Sequence, residues 1–204
     1  GSMDLGIDSA VVVSFDQPVV PLGADADSLP SAFSLVPVAS GRGEWLNTST
    51  YIFYPDGLKG GVTYTATLNS ELVSIAGSSL ASIDAWSFTT AYPRLLEISP
   101  STEIPLPLDL EWIFTFNQPM DKASVEENFS LRDVDGVEVS GKFVWEEDAR
   151  SLTFIVDSPL ARDSIYHFLL SENALAQGGT PISSKWKVEV YSSPNFAVIS
   201  TDPE

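Results

Sequence analysis

The chain contains no cysteine, and this absence excludes disulfide bridges, thiolate metal sites and cysteine nucleophiles. No apolar run reaches the roughly 18 residues of a membrane-spanning helix. Basic residues are scarce, since 10 lysines and arginines stand against 28 acidic residues, for a formal charge of −18. Such a charge repels nucleic-acid phosphates and anionic membranes. The sequence therefore predicts no nucleic-acid partner and no membrane insertion of this segment, and solubility is the favoured reason for the acidity.

Recognisable catalytic motifs are also missing. The single histidine, His167, has no serine elbow near it, and the sequence has no glycine-rich phosphate loop. A nucleophile, a base and an orienting group cannot be assembled from motifs here. We therefore expect a protein that is not an enzyme, without catalytic, cofactor-binding or metal-binding residues.

What the chain does contain is an internal repeat. Phe15–Pro18 reads Phe-Asp-Gln-Pro, and Phe116–Pro119 reads Phe-Asn-Gln-Pro at a shift of 116 − 15 = 101 positions. Large apolar residues recur between these points, while the residues between them differ. Further matching pairs are Phe33 with Phe129, Trp45 with Trp145, Leu58 with Leu160, Tyr64 with Tyr166, and Trp86 with Trp186. The repeat predicts two copies of one domain of about 100 residues each.

Short β-branched and aromatic segments, separated by turn signals, indicate strands in both copies. Strands are expected in the first copy at Ala10–Phe15, Tyr51–Tyr54, Val62–Asn69 and Ala85–Thr89 and around Trp45, and in the second at Glu111–Phe116, Phe143–Trp145, Ser151–Val156, Ile165–Ser171 and Lys185–Tyr191. Asp121–Asn128 is expected to form a helical turn capped by Asp121, and no longer helix is expected. This pattern is typical of a β-sandwich.

Two tyrosines narrow the type of sandwich. Leu58 is followed by a turn and by Tyr64, and Leu160 is followed by a turn and by Tyr166. This is the arrangement of a tyrosine corner, in which we expect the hydroxyl to bond an upstream carbonyl, and it marks an immunoglobulin-like topology. With the sequences of Trp86–Thr90, Pro93–Pro100 and Phe116–Asp121, the chain resembles bacterial immunoglobulin-like domains of the S-layer-protein type over about residues 10–200.

The resemblance implies a non-catalytic structural, spacer or adhesive segment of a large exported bacterial surface protein. It implies a location outside the cell or in the cell envelope, with other domains of the parent protein as partners. The family also extends to the amino-terminal region of bacterial alpha-2-macroglobulin-like protease inhibitors, where this segment, which lacks the thioester cysteine, would be a spacer. The alternative from another class is a module that binds a glycan or a protein.

The domain organisation follows from the repeat. We expect an all-β fold of two tandem immunoglobulin-like β-sandwich domains, over residues 4–91 and 92–192, with residues 193–204 beginning a linker to a further module. Gly1–Met3 is read as an expression remnant. The join at Thr90–Pro93 is almost without linker, which predicts a stiff, extended rod.

One mismatch concerns the start of each copy. Asp4–Asp8 stand where the second copy has the strand-like Arg94–Ile98, so the first domain is expected to lack its opening strand. Because an uncovered sheet edge is a template for pairing, Phe196–Ser200 of another molecule are expected to pair with the first domain.

Three polar clusters have a structural and a functional interpretation. His167 is expected to point outward from its strand, because it alternates with Tyr166. Glu146–Asp148 are interpreted as a solvated hairpin turn rather than as glycosidase carboxylates. Asp133–Gly136 is interpreted as an Asp-Gly turn, because its glycine stands fourth and not sixth as in a calcium loop, although incidental calcium binding stays open. The Asn-x-Ser matches at Asn47 and Asn128 carry no prediction.

The five tryptophans raise the question of a sugar-stacking surface. Four of them occupy matching repeat positions, and Trp112 shares a strand face with Phe114 and Phe116. These positions predict core residues, so that Trp145→Ala is expected to cost about 3–5 kcal/mol.

Overall fold

The computed structural model describes residues 5–25, 28–82 and 84–196. It divides into two compact units, Gly1–Tyr92 and Pro93–Glu204. Each unit has two antiparallel β-sheets and its own hydrophobic core. The chain is therefore all-β, with two immunoglobulin-like β-sandwich domains, and the predicted fold class is confirmed.

The first domain has two three-stranded sheets among its described residues. Its strands are β1 (Val11–Ser14), β2 (Phe33–Val36), β3 (Gly41–Trp45), β4 (Thr50–Pro55), β5 (Thr63–Leu68) and β6 (Ala85–Thr89). One sheet has the order β1-β4-β3 and the other has the order β2-β5-β6.

The second domain has a four-stranded and a three-stranded sheet. Its elements are β7 (Leu95–Ser99), β8 (Glu111–Phe116), α1 (Lys122–Glu127), β9 (Phe129–Asp133), β10 (Gly141–Trp145), β11 (Ser151–Val156), β12 (Ile165–Leu170) and β13 (Trp186–Tyr191). The sheet orders are β10-β11-β8-β7 and β13-β12-β9. In chain order the seven strands correspond to A to G, which places A, B, E and D in one sheet and C, F and G in the other.

Strand β8 shows why these segments form strands with one buried face. Trp112, Phe114 and Phe116 alternate along it and are all buried, while Glu111 before them and Ile113 between them are exposed. Period-two burial is the geometry of a strand that lies on a core. Proline at position 119 has no N–H to continue the ladder, and the strand has ended before it.

The short helix α1 begins where the cap was predicted. The Asp121 side chain accepts a hydrogen bond from the Ser124 backbone N–H at 3.0 Å, which satisfies one of the open donors of the first turn. Val125 is fully buried and fixes the helix to the core. The predicted capped turn is confirmed.

The tryptophans are less uniform than the sequence predicts. Trp112 is fully buried, and its indole N–H donates to the Pro100 carbonyl at 2.8 Å. The other four are half-buried at the edges of the two cores: Trp45, Trp86, Trp145 and Trp186. The prediction of a core position is therefore confirmed for Trp112. The other four tryptophans are only half-buried, because each of them lies on a terminal strand of its sheet.

The start of the first domain differs from the alignment expected from sequence. Leu5 forms a parallel bridge with Thr90, and Leu106 forms the same bridge with Ser192. The match of Asp4–Asp8 with Arg94–Ile98 is therefore wrong, because the bridge aligns Leu5 with Leu106, after β7. Among the described residues of the first domain, no strand pairs with β1 on the side where β7 pairs with β8.

Candidate functional site

Both tyrosine corners are present, with one change from expectation. The Tyr64 hydroxyl accepts a hydrogen bond from the Lys59 backbone N–H at 3.0 Å, and the Tyr166 hydroxyl accepts one from Ala161 N–H at 2.9 Å. The bonded backbone group is thus an upstream amide and not the expected carbonyl. Both tyrosines are buried, so each hydroxyl satisfies an amide donor at the edge of the core.

A second buried hydroxyl in each domain bonds the same loop residue as the tyrosine, but at its carbonyl rather than at its N–H. Thr90 Oγ1 donates to the Lys59 carbonyl at 2.6 Å and accepts from Val62 N–H at 3.1 Å. In the second domain, Ser192 Oγ donates to the Ala161 carbonyl at 2.6 Å and accepts from Ser164 N–H at 2.9 Å. We call each of these arrangements the hydroxyl clip.

The hydroxyl clip was not anticipated from the sequence, although a signal was there. Thr90 and Ser192 are both hydroxyl residues at the steady shift of 192 − 90 = 102 positions that also relates Tyr64 to Tyr166. Both are buried polar side chains, which require hydrogen-bond partners. Attention to large apolar residues alone passes over such a pair.

A residue near the start of each domain lies beside the strand that leaves it: Leu5 in the first domain and Leu106, which follows β7, in the second. Leu5 N–H donates to the Thr89 carbonyl at 3.2 Å, and Ala91 N–H donates to the Leu5 carbonyl at 2.7 Å. In the second domain, Leu106 N–H donates to the Tyr191 carbonyl at 2.7 Å, and Ser193 N–H donates to the Leu106 carbonyl at 2.8 Å. Both pairings are parallel. We call this arrangement, together with the hydroxyl clip beside it, the terminal clamp.

Each domain also has an open groove between its two sheets. In the first domain a cavity of about 280 Å³ is lined by Phe33, Leu35, Val38 and Phe53 among others. In the second, a cavity of about 260 Å³ is lined by residues that include Phe129, Val139 and Phe154. The second groove has Glu126 and Glu138 at its rim, whereas the lining of the first contains no charged residue.

A glycine at the same place in each groove allows an aromatic ring to approach the backbone. A Cβ on Gly41 would lie 2.6 Å from the Phe53 ring, and one on Gly141 would lie 2.4 Å from the Phe154 ring. Both distances are shorter than real contacts, so glycine is required for close packing rather than for a turn. These glycines were also missed by the sequence analysis.

The polar clusters singled out from sequence lie apart from these features. His167 is exposed on β12, as expected. Glu146–Asp148 are exposed in the turn between β10 and β11, where Asp148 accepts from Arg150 N–H. Asp133 accepts from the N–H groups of Asp135 and Val137, which makes the Asp-Gly segment a hairpin turn. The structure brings none of these three clusters together with another.

Within residues 5–25, 28–82 and 84–196, no three histidine or acidic side chains are close enough together to hold a metal ion. Over the same ranges, no helix has the length and apolar character needed to cross a membrane.

The strand order defines the class of protein. A sheet of strands A, B, E and D facing a sheet of C, F and G is the constant-type immunoglobulin sandwich, and the two tyrosine corners agree with it. The family model of a bacterial Ig-like domain matches residues 1–90 of this chain. No curated protein matches the chain.

Solved structures show a looser likeness. LD-transpeptidase LdtMt1 in complex with imipenem is 14% identical, with a TM-score of 0.34, over 48% of this chain and 40% of its own length. An L,D-transpeptidase from Mycobacterium tuberculosis is 14% identical, with a TM-score of 0.31, over 82% of this chain and 71% of its own. A titin fragment is 9% identical, with a TM-score of 0.32, over 94% of both chains. This chain spans less than half the length of the first of these proteins.

Proposed function

We propose that this chain is a non-catalytic structural segment, a spacer or adhesive module, of a large exported bacterial surface protein. The bacterial Ig-like match over residues 1–90 supports a bacterial module of this class. The observation that carries the proposal is the terminal clamp, which is built in both domains with the same bonds between equivalent residues.

The terminal clamp suits a module that transmits force. Because the segment at Leu5 or Leu106 and the strand that leaves the domain are parallel neighbours, pulling the two ends of a domain apart loads the backbone bonds between them along the strand direction. The bonds at Leu5 or Leu106 then share the load and break together, rather than one after another as in an unzipping hairpin. Thr90 or Ser192 adds two further bonds at the same place. Such resistance suits a spacer that carries load between the domains on either side of it.

Single-molecule force spectroscopy tests the proposal. The chain is attached through its two ends, and two discrete unfolding events are expected, one for each domain. Ser192→Ala is expected to lower the force of one event and leave the other unchanged, and Thr90→Val is expected to do the reverse. Smooth extension without force peaks would overturn the proposed spacer role.

A matched control separates the clamp from general stability. His167→Ala alters an exposed side chain on β12 that takes no part in the bonds of the hydroxyl clip, and it should leave both unfolding forces unchanged. If His167→Ala and Ser192→Ala lowered the same event equally, the terminal clamp would not be the element that bears force.

The groove of the first domain favours a second candidate function, in which the module binds a glycan or a protein. Its lining carries no charged residue, which distinguishes it from the acidic rim of the second groove. Val38, at its mouth, is 91% exposed. Val38→Asp should abolish binding in a glycan array or a protein pull-down if this function is correct, and an array without any hit would count against it. The alternative parent protein is an alpha-2-macroglobulin-like protease inhibitor, in which this chain would be a spacer region.

A further inference from the structure

The outer edge of β1 is open, whereas its counterpart β8 is covered. In the second domain β7 pairs with β8, with Leu95 opposite Phe116 and Ile98 opposite Phe114. In the first domain β1 pairs with β4 on one side, and no described strand pairs with its other side.

The backbone of β1 has donors that point to this open side. Phe15 N–H donates to the Ser49 carbonyl next to β4, and donors alternate in direction along an antiparallel strand. The N–H groups of Val12 and Ser14 therefore point away from β4. In β8 the equivalent residues, Ile113 and Thr115, are paired with Ser99 and Glu97 of β7.

A cleft adjoins this open edge at the place that β7 occupies in the second domain. It has a volume of about 140 Å³, and its apolar lining is provided by Phe15, Val19, Leu72 and Leu80. In the second domain, the Pro93 carbonyl accepts from Ser183 N–H and the Arg94 carbonyl accepts from Asn117 N–H. The start of β7 thus runs between the end of β8 and the loop that precedes β13.

Burial of the aromatic partners reflects this difference. Phe116 is 2% exposed and Leu95, opposite it, is 5% exposed. Phe15, the counterpart of Phe116, is only half-buried and lines the cleft. The cleft therefore presents the apolar surface that a leucine of β7 covers in the second domain.

The tail of the chain repeats the sequence of β7. Pro194-Asn-Phe-Ala-Val-Ile-Ser200 matches Pro93-Arg-Leu-Leu-Glu-Ile-Ser99, so that Phe196 stands at the position of Leu95 and Ile199 at that of Ile98. Phe196 is 99% exposed, and Ala197–Ser200 lie outside the described residues. The segment carries no charge, so it does not meet the repulsion that a formal charge of −18 imposes on other contacts between copies.

We propose that the open edge of β1 and its cleft bind residues 194–200 of a second copy of this chain as an added antiparallel strand. The register follows β7, with Phe196 opposite Phe15, Ile199 opposite Val13 and Ser200 opposite Val12. Main-chain bonds to Val12 and Ser14 supply affinity, and Phe196 in the cleft supplies specificity, as in other cases of strand addition. Because each copy has one donor segment and one acceptor edge, the contact is head-to-tail and produces open chains of copies.

Sedimentation velocity from about 10 µM to about 1 mM tests the proposal, since this range detects association with dissociation constants up to about 1 mM. The mass of the unmodified chain is expected to rise with concentration. Phe196→Asp, at a fully exposed position that folding does not need, should weaken association at least about tenfold, or about 1.4 kcal/mol. Leu22→Asp makes the same chemical change at another exposed site and should leave association unchanged.

Hydrogen exchange locates the contact independently. A synthetic peptide of residues 193–202, added to the Phe196→Asp chain, should slow exchange at the amides of Val12 and Ser14 and leave β13 unchanged. Three outcomes would overturn the proposal: a mass that stays that of one chain throughout the range, association that Phe196→Asp and Leu22→Asp weaken equally, or protection on a strand other than β1. A single-chain mass with Val12 already protected would mean that each tail pairs within its own molecule, which also contradicts a second copy.

Discussion

The two domains share one scaffold but fill it differently. The second domain covers strand B with β7 and fills its core with Trp112, Phe114 and Phe168, which contact one another at 5.0–5.3 Å between ring centroids. In the first domain, Val11, Val13 and Ala66 stand at these positions. What both domains retain is the set of bonds around the tyrosine corner and the terminal clamp. The comparison teaches that the connections at the chain ends are kept while the core volume varies.

The largest expected effect sharpens the difference between the two cores. Trp112→Ala removes a fully buried indole and should lower the stability of the second domain by about 3–5 kcal/mol. Val11→Ala removes two methyl groups from the core of the first domain and should lower its stability by about 2 kcal/mol. Hydrogen exchange of the amides in β11 and β4 under increasing urea measures each domain separately. Equal losses in the two domains would contradict the difference in core packing.

Loss of the hydroxyl clip should lower the stability of the two domains by similar amounts. Ser192→Ala and Thr90→Val each leave a part-buried N–H and a carbonyl without their side-chain partner, at an expected cost of about 1–3 kcal/mol. The same exchange experiment reports the loss in the altered domain only. Ser192→Thr keeps the hydroxyl and is expected to retain most of the stability, and a large loss in that variant would show that shape, not bonding, decides the position.

The paired glycines test whether the two grooves are built alike. Gly41→Ala would place its Cβ 2.3 Å from the Tyr54 carbonyl, and Gly141→Ala would place its Cβ 2.6 Å from the Ile155 carbonyl. Because backbone atoms are in the way, each is expected to cost roughly 1–3 kcal/mol.

Gly6→Ala is the matched control for the groove glycines, since its Cβ would meet only Ser9 Oγ at 3.4 Å. Thermal unfolding of the three variants compares them. A neutral Gly141→Ala would mean that the Phe154 ring and its strand move aside at no cost.

The smallest effect concerns a pair present only in the second domain. The Tyr191 hydroxyl donates to Glu189, and this hydrogen bond, with the carboxylate charge, raises the pKa of Tyr191 above its ordinary 10.0. The folded state therefore favours the neutral phenol, so the contribution is present below pH 10 and is lost as pH rises through the raised pKa. Glu189→Gln should return the pKa of Tyr191 toward 10, as measured by NMR titration. An unchanged titration would show that the bond does not form in solution.

Much of the fold could be read from residues alone because it depends on periodicity. Alternation in β8, the repeated Phe-x-Gln-Pro, the cap at Asp121 and the two tyrosines each act within a few residues, so they identify strands, the helix and the topology. Trp145 shows the limit of this reasoning. Its repeat position predicts a core residue, yet it lies on the terminal strand β10, where its ring stacks on Phe116 and its N–H bonds Glu126.

By itself the sequence determined that this protein is an acidic, cysteine-free, all-β repeat with immunoglobulin-like topology. Local pattern and composition are sufficient for these conclusions. Only the tertiary structure decided which backbone groups the hydroxyls of Thr90 and Ser192 bind, that Leu5 aligns with Leu106, and that an apolar cleft adjoins the open edge of β1. The physical reason is that these features join residues about 30 to 90 positions apart, and such contacts are set by how two sheets pack and not by neighbours in the chain.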